Sequence, residues 1–221
     1  MIKVYGRLSS SNVQRVLWLA SELGLEVERE TVGGTFGGND APDYRAMNPT
    51  GRVPTLQDGE TTIWESDAIL RYLAATYGAG GPFWPETPAE RATADSWLVW
   101  QAINLGPRMD AVFFRTVRKP RAEHDPDELA PHVARLAEPY RFIDAGLSRA
   151  PFLSGDVFGL ADIPAAIWTY RYLNLAIERP DLPNLAAWFE RVSARPVFPK
   201  LVAQPFGSCL EEWLEHERAV A

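Results

Sequence analysis

The sequence has little cysteine and little histidine, and their scarcity excludes several kinds of site. The single cysteine, Cys209, cannot form an intrachain disulfide or a Cys-x-x-Cys redox pair. Three scattered histidines argue against a zinc site, which needs several histidine or cysteine ligands close together. We therefore expect chemistry that uses no metal and no thiol of the protein itself.

Long apolar runs and an excess of basic residues are also absent. No stretch approaches the roughly 20 apolar residues of a membrane helix, and the first residues, MIKVYGRL, lack a signal-peptide core. The formal net charge of −7 disfavours nucleic acid, which proteins bind largely by neutralising phosphates with lysine and arginine. The sequence therefore predicts a soluble cytoplasmic protein that binds neither membrane nor nucleic acid and takes a small-molecule ligand.

The first part of the chain alternates between strand and helix patterns. Residues 2–27 indicate strand, helix and strand, because alternating apolar residues flank a helical spacing that Gly24 can end. The segments VPTLQ and TTIW flank Asp58-Gly59, a strong hairpin signal, and a helix is expected from Ser66 to Gly78. The order βαβ-ββα indicates a compact α/β domain over residues 1–78.

The second part reads as helical throughout. Residues 79–89 are rich in glycine and proline and indicate a linker, and residues 90–221 show no strand pattern. Pro139 interrupts a helical spacing, so we expect that helix to be kinked or split. In FGLADI, Gly159 is placed to cap a helix whose Asp162 accepts hydrogen bonds from free backbone N–H groups.

Several motifs, in this order, resemble those of the glutathione transferase superfamily. They are GRLSSSNVQRV, GGTFGGND, NPTGRVPTL, ESDAILRYLA, SGDVFGLADI and IERPDLPNL. The sequence is most similar to a bacterial cytosolic branch of the serine/asparagine type. The resemblance implies a thioredoxin-like first domain that binds glutathione, an all-α second domain, an electrophile between them, and a homodimer.

Such an enzyme must hold the glutathione thiol as a thiolate, because only the thiolate attacks electrophiles well. Members of the superfamily activate it with a tyrosine, a serine or a cysteine near the first helix. No cysteine occurs in this turn, and Tyr5 lies within the predicted first strand. The resemblance therefore implies activation by the polar residues that follow.

Ser10, Ser11 and Asn12 are the candidate catalytic residues. They stand where a helix N-terminus and a neutral hydrogen-bond donor can both stabilise a sulfur anion. Ser11 lies four residues before Arg15, a spacing that resembles the serine-type classes, whereas other bacterial members suggest Ser10 together with Asn12. Sequence alone leaves the two assignments open, and Ser9 is interpreted as a structural residue.

Four residues are expected to hold the cysteinyl and glycine ends of glutathione. Pro54 resembles a cis-proline that turns the backbone of Val53 toward the ligand, so that Val53 pairs with it like an added strand. Arg52 and Asn39 are candidate partners of the glycine carboxylate. Glutathione is thus the expected co-substrate.

The γ-glutamyl end of glutathione has its own candidate pair. Glu65 and Ser66 resemble the residues that meet this end, where a carboxylate faces the ammonium group and a helix N-terminus faces the α-carboxylate. Ser66 as an ordinary N-cap is compatible with this role.

The electrophile pocket is expected in the helical domain. Apolar and aromatic walls suit a small apolar electrophile, and aromatic residues are frequent along the first helices of this domain. The candidate lining residues are Trp100, Met109, Phe113 and Tyr170.

Three functions remain open at this point. The first is a glutathione transferase that attacks an apolar electrophile. The second keeps the same site but reduces disulfides or peroxides with glutathione and without a protein cysteine. The third is a glutathione-transferase-like binding protein without turnover.

Overall fold

The computed structural model describes residues 1–220. Its first part is a four-stranded mixed sheet in the order β2-β1-β3-β4 with helices packed against it. In chain order the elements are β1 (Ile2–Tyr5), α1 (Ser11–Glu22), β2 (Val27–Glu30), α2 (Pro42–Met47), β3 (Thr55–Asp58), β4 (Thr61–Trp64) and α3 (Ser66–Tyr77). The predicted thioredoxin-like βαβ-ββα arrangement is confirmed.

The short helix α2 was not predicted from the sequence. Its six residues bury one side chain, Tyr44, and this is too little for an apolar periodicity to be visible. The Tyr44 hydroxyl donates a hydrogen bond to the carbonyl oxygen of Arg52, 2.6 Å away. The helix therefore fixes the segment that leads into β3.

The sheet register places the apolar residues of the central strands on the core. β1 runs parallel to β2 and antiparallel to β3, with Val4 opposite Leu56, and both side chains are fully buried. From the helices α1 and α3, Val16 and Ile69 are buried in the same core. Each such side chain stabilises the fold by roughly 1.5–3 kcal/mol.

The predicted hairpin between β3 and β4 is confirmed. Asp58 pairs with Thr61, so Gly59 and Glu60 form the turn. Gly59 has a φ of 57°, in the left-handed region where glycine has no steric penalty.

The second part of the chain is all-helical, as predicted. Its elements are α4 (Pro88–Trp100), a five-residue π-helical segment (Gln101–Leu105), α5 (Gly106–Arg115), α6 (Pro126–Leu147), α7 (Asp162–Asn174), α8 (Pro183–Ser193), α9 (Phe198–Leu201) and α10 (Leu210–Ala219). None of the helices described is long and apolar enough to cross a bilayer. The division at residues 78 and 90 remains a prediction.

The structure narrows the expectation for α6 and corrects that for α7. Of the two outcomes expected for Pro139, the split does not occur: α6 continues from Pro126 to Leu147, and the burial of Pro139, Tyr140 and Ile143 offsets the roughly 3 kcal/mol that an internal proline costs. The capping residue of α7 is Ala161 rather than Gly159, since the helix begins only at Asp162.

The Asp162 carboxylate is completely buried and acts as the predicted acceptor of backbone hydrogen bonds. It accepts from the N–H groups of Leu153 at 2.8 Å, Ser154 at 3.2 Å and Gly159 at 3.1 Å, and from the Trp188 indole at 2.9 Å. One side chain thus ties the loop before α7 and the helix α8 to the start of α7.

The two parts of the chain pack together along α1. The Trp18 ring stacks on Phe158, with 5.7 Å between ring centroids. Glu22, at the end of α1, accepts hydrogen bonds from the Trp18 indole at 2.9 Å and from Arg195 Nε at 2.7 Å. This packing holds the helical part beside the N-terminus of α1, where a cleft opens.

Candidate active site

A cleft of about 330 Å³ lies between the two parts of the chain, at the N-terminus of α1. Residues 9–12, Asn39 and residues 51–53 line it from the sheet side, and α5 and α10 contribute residues from the helical side. The cleft therefore lies where the sequence resemblance predicts the ligand.

Ser10, Ser11 and Asn12 all line the cleft and are free to act on a ligand. Ser10 is the N-cap residue of α1, yet its side chain makes no capping hydrogen bond, and the first turn contains no acidic residue. Within residues 1–220 the side chains of Ser11 and Asn12 have no hydrogen-bond partner either. The uncapped N–H groups and the helix dipole favour an anion at this point.

Ser9 is engaged elsewhere, in agreement with its interpretation as a structural residue. Its hydroxyl donates a 2.9 Å hydrogen bond to Oε1 of Glu217, a residue of α10. Arg7 Nε donates to the same oxygen at 2.7 Å, and the N–H of Thr35 donates to Oε2 at 3.0 Å. A buried carboxylate from the end of the chain thus fixes the loop that follows β1.

Gly34 shows why a glycine-rich segment borders this loop. Its φ of 60° is left-handed, and a Cβ at this position would lie 2.7 Å from Cδ of Arg7 and 2.8 Å from Oε2 of Glu217. A larger residue would displace the Arg7–Glu217 pair, so the packing requires glycine here.

The residues predicted to hold glutathione converge on one side of the cleft. The Val53–Pro54 peptide bond is cis. Arg52 and Val53 line both the cleft and an adjoining recess, and Pro54, Glu65 and Ser66 are among the other residues that line the recess. Asn39 also lines the cleft, and its amide donates to the carbonyl oxygen of Gly51 at 2.9 Å.

Glu65 has an unusual backbone conformation. With a φ of 70°, it is the single non-glycine residue with a positive φ in the described part of the chain. Such conformations cost of order 1–3 kcal/mol and cluster at functional sites. The next residue, Ser66, is buried, and its Oγ accepts a 3.3 Å hydrogen bond from Arg15. The start of α3 is thereby fixed next to the recess that Glu65 and Ser66 line.

Of the four residues predicted for the electrophile pocket, the structure places one at the cleft, Phe113. Trp100 packs against other aromatic rings of the helical part, and Met109 is fully buried in the core. Tyr170 lies outside the cleft, and its hydroxyl donates to a backbone carbonyl 3.2 Å away. The other three do not line this cleft, because helical spacing does not tell which apolar face borders it.

Five cleft residues of the helical part were not predicted from the sequence. Phe114 and Trp213 extend the aromatic wall, and Asp110, Arg118 and Arg171 add charge. The Arg118 guanidinium lies 4.5 Å from the centre of the Trp213 ring, and Arg171 donates to the carbonyl oxygen of Ser9 at 2.8 Å. These residues belong to no local motif, and only the tertiary fold brings them together.

The cleft is cationic although the whole chain is acidic. Arg7, Arg52, Arg118 and Arg171 line it, whereas Asp110 is its one acidic lining residue in the described part of the chain. Burial lowers the pKa of Arg171 and raises the pKa of Asp110, and their mutual attraction opposes both changes. A guanidinium remains protonated at neutral pH, so the cleft keeps an excess of positive charge.

Within residues 1–220, no three His, Cys, Asp or Glu side chains are grouped so that they could hold a metal ion. Cys209 is buried and lies outside the cleft.

Two family models match the chain. Residues 1–75 match the N-terminal domain of glutathione S-transferase, and residues 106–196 match its C-terminal domain. The two matches correspond to the sheet part and to most of the helical part described above.

Individual relatives are similar over nearly the whole chain. Glutathione S-transferase GstB of Escherichia coli is 37% identical over 93% of this chain and 99% of its own, and glutathione S-transferase 3 of Zea mays is 34% identical over 91% and 93%. A theta class glutathione S-transferase of Xanthomonas axonopodis pv. citri, solved with glutathione bound, superposes with a TM-score of 0.88 at 43% identity, covering 93% of this chain and 99% of that one. The chain belongs to the glutathione S-transferase family.

Proposed function

We propose that this protein binds glutathione in the cleft, ionises its thiol at the N-terminus of α1 and transfers the glutathionyl group to a small electrophile. The observation that carries the proposal is the start of α1, where Ser10, Ser11 and Asn12 face the cleft without partners and the helix N–H groups are uncapped. These are the groups that a thiolate needs.

The required stabilisation is within reach of these groups. To lower a thiol pKa from about 9 to about 7, the site must favour the thiolate by roughly 2.7 kcal/mol. A hydrogen bond to a charged group contributes roughly 1.5–3 kcal/mol, and a helix N-terminus adds about 0.3–1 kcal/mol. Together, one hydroxyl and the N-terminus of α1 contribute a stabilisation of the required size.

Glutathione would lie with its peptide along the segment before β3. The backbone of Val53 pairs with the cysteinyl group, Arg52 and Asn39 receive the glycine carboxylate, and Glu65 binds the γ-glutamyl ammonium group. Ser66 and the N-terminus of α3 receive the α-carboxylate. Arg52, Val53, Glu65 and Ser66 line one recess and Asn39 lines the adjoining cleft, and this convergence supports the placement.

The electrophile would lie on the opposite wall. Phe113, Phe114 and Trp213 offer aromatic surface to an apolar body, and the thiolate attacks its electrophilic carbon from the α1 side. The product is a thioether, and the group that is displaced leaves with the bonding electrons.

A parallel assay tests this function against its two alternatives. The purified protein and glutathione are supplied with a chloronitroarene, a disulfide or an organic hydroperoxide. Conjugation of the arene supports the transferase. Turnover of only the disulfide and the hydroperoxide would indicate a reductase, and glutathione binding without any turnover would indicate a binding protein.

Replacement of Ser11 by alanine is expected to raise the pKa of bound glutathione by about one to two units, because the thiolate loses a hydrogen bond worth roughly 1.5–3 kcal/mol. The thiolate absorbance in the ultraviolet, followed with pH, measures the change. Glutathione affinity should hardly change, since most contacts lie elsewhere.

Ser10→Ala and Asn12→Ala are the comparison variants, and Ser9→Ala is the control because its hydroxyl already binds Glu217. If Ser10→Ala or Asn12→Ala shifts the pKa of bound glutathione and Ser11→Ala does not, thiol activation belongs to Ser10 or Asn12 and not to Ser11. If no variant changes the titration, the cluster does not activate the thiol.

We further propose that the protein is a cytoplasmic homodimer. Large apolar side chains remain exposed on β4, on α3 and around α4, and a second copy could cover them: Trp64, Tyr77, Val99 and Ile103. Sedimentation equilibrium should give twice the chain mass of 24.7 kDa. A single species at the chain mass would contradict the proposal.

A further inference from the structure

The excess charge of the cleft is concentrated on its helical side, opposite the proposed glutathione recess. Arg118 and Arg171 lie there, and Arg7 reaches the same space from the loop after β1. This inference rests on the proposed function, in which that side of the cleft holds the electrophile.

Two of these three cations already have a hydrogen-bond partner in the protein. Arg7 donates to Oε1 of Glu217 at 2.7 Å, and the buried Arg171 donates to the carbonyl oxygen of Ser9 at 2.8 Å. Arg118 approaches only the Glu217 oxygen that Arg7 and Ser9 already occupy, and at 4.0 Å it is too distant for a hydrogen bond. The described part of the protein offers Arg118 no other carboxylate.

The surroundings of Arg118 suit a planar anion next to an aromatic body. Its guanidinium stacks on Trp213 at 4.5 Å and lies 5.9 Å from the centre of the Phe114 ring. Its side chain is 24% exposed and borders the cleft, so its N–H donors are reachable. A guanidinium binds a carboxylate through two parallel hydrogen bonds, and removal from bulk water strengthens them.

Glutathione does not need Arg118. Its two carboxylates and its ammonium group are matched by Arg52, Glu65 and the N-terminus of α3, all on the sheet side. Attack by a thiolate on an anionic substrate meets like-charge repulsion, which a cation beside the substrate offsets.

We propose that the electrophile of this enzyme carries a carboxylate, and that Arg118 binds this group while the aromatic wall holds the rest of the molecule. A chloronitrobenzoate represents the class. The thiol proton passes to solvent when the thiolate forms, the sulfur then bonds to the ring carbon, and chloride leaves with the electrons of the broken C–Cl bond.

A matched pair of substrates isolates the charge. With glutathione present, kcat/KM is measured for 4-chloro-3-nitrobenzoate and for 4-chloro-3-nitrobenzamide, and each value is divided by the uncatalysed rate constant. The wild-type protein should favour the benzoate by about tenfold or more. Arg118→Met should lower kcat/KM for the benzoate by about 10- to 100-fold and leave the benzamide within about threefold.

Two further variants control for folding and for charge in general. Arg118→Lys keeps the cation but loses the paired donors, so it should recover part of the preference for the benzoate. Arg115→Met removes an arginine at the end of α5 that lies outside the cleft and pairs with Glu128 at 2.9 Å. This variant should leave kcat/KM unchanged for both substrates.

Four results would overturn the proposal. The first two are an equal fall in kcat/KM for both substrates with Arg118→Met, and equal kcat/KM values for both substrates with the wild-type protein. The third is that Arg118→Met raises the KM of glutathione instead of the KM of the benzoate. The fourth is that the benzoate is not conjugated at all. Calorimetry separates this failure from failure of the proposed function. Glutathione binding with conjugation of the benzamide leaves the transferase in place, whereas absence of both binding and conjugation removes it as well.

Discussion

Replacement of Asp162 by alanine is expected to lower the free energy of unfolding by about 3 kcal/mol or more. The carboxylate is fully buried and accepts four hydrogen bonds, three from backbone N–H groups of the preceding loop and one from the Trp188 indole. Each buried donor left without an acceptor costs roughly 1–3 kcal/mol, and water cannot easily replace the lost oxygen atoms. The substitution also leaves a small cavity, which adds to the loss of polar contacts.

Urea unfolding, followed by tryptophan fluorescence, measures this change. Asp156→Ala removes an exposed aspartate of the same loop and should stay within about 0.5 kcal/mol of the wild-type protein. Asp162→Asn keeps one acceptor oxygen, so its free energy of unfolding should lie between those of Asp162→Ala and Asp156→Ala. If Asp162→Ala unfolds at the same urea concentration as Asp156→Ala, the hydrogen-bond cluster does not stabilise the fold.

The elements of the sheet part could be predicted because their signals are local. Strand alternation, the Asp58-Gly59 turn and the helix that starts at Ser66 each occupy a few consecutive residues. The one helix that was missed, α2, buries a single side chain and so has no pattern to detect. The cluster from Ser10 to Asn12 was also found, since the strand before it and the helix after it are both visible in the sequence.

The helical wall of the cleft could not be predicted in the same way. Met109 and Phe113 lie one helical turn apart on α5, yet Met109 is fully buried in the core and Phe113 lines the cleft. Apolar spacing shows that a face is buried but does not show what covers it. The charged residues of this wall are still harder to predict from the sequence, because Arg118 and Arg171 reach the cleft from separate elements.

The positive charge of the cleft could not be predicted from the sequence, for a related reason. A net charge of −7 is a sum over the whole chain, and from it we expect no nucleic-acid partner. It says nothing about a local cluster, in which a few arginines outweigh one aspartate. The expectation of an apolar electrophile came from the family resemblance and from the apolar and aromatic residues of this part of the chain, and the proposal for Arg118 adds a carboxylate to that electrophile.

Glu217→Gln is expected to lower the free energy of unfolding by about 2 to 3 kcal/mol at neutral pH, because Arg7 loses its buried counter-charge. The Glu217 side chain is 1% exposed, and it binds Arg7 and Ser9 across more than 200 residues of sequence. Glu215→Gln changes an exposed carboxylate on the same helix and serves as the control.

The pH dependence identifies the carboxylate as the cause. Burial alone would raise the pKa of Glu217, but hydrogen bonds from the Thr35 N–H, from Arg7 and from Ser9 outweigh it and hold the pKa below its ordinary value. A lowered pKa means that the stabilisation is present above the ordinary glutamate pKa of about 4.3 and is lost as the pH falls through the lowered value. The difference between the wild-type protein and Glu217→Gln should therefore be largest near pH 7 and shrink below about pH 4. Urea unfolding across this range measures it, and a difference that does not change with pH would show that the charge of Glu217 does not hold α10 against the cleft.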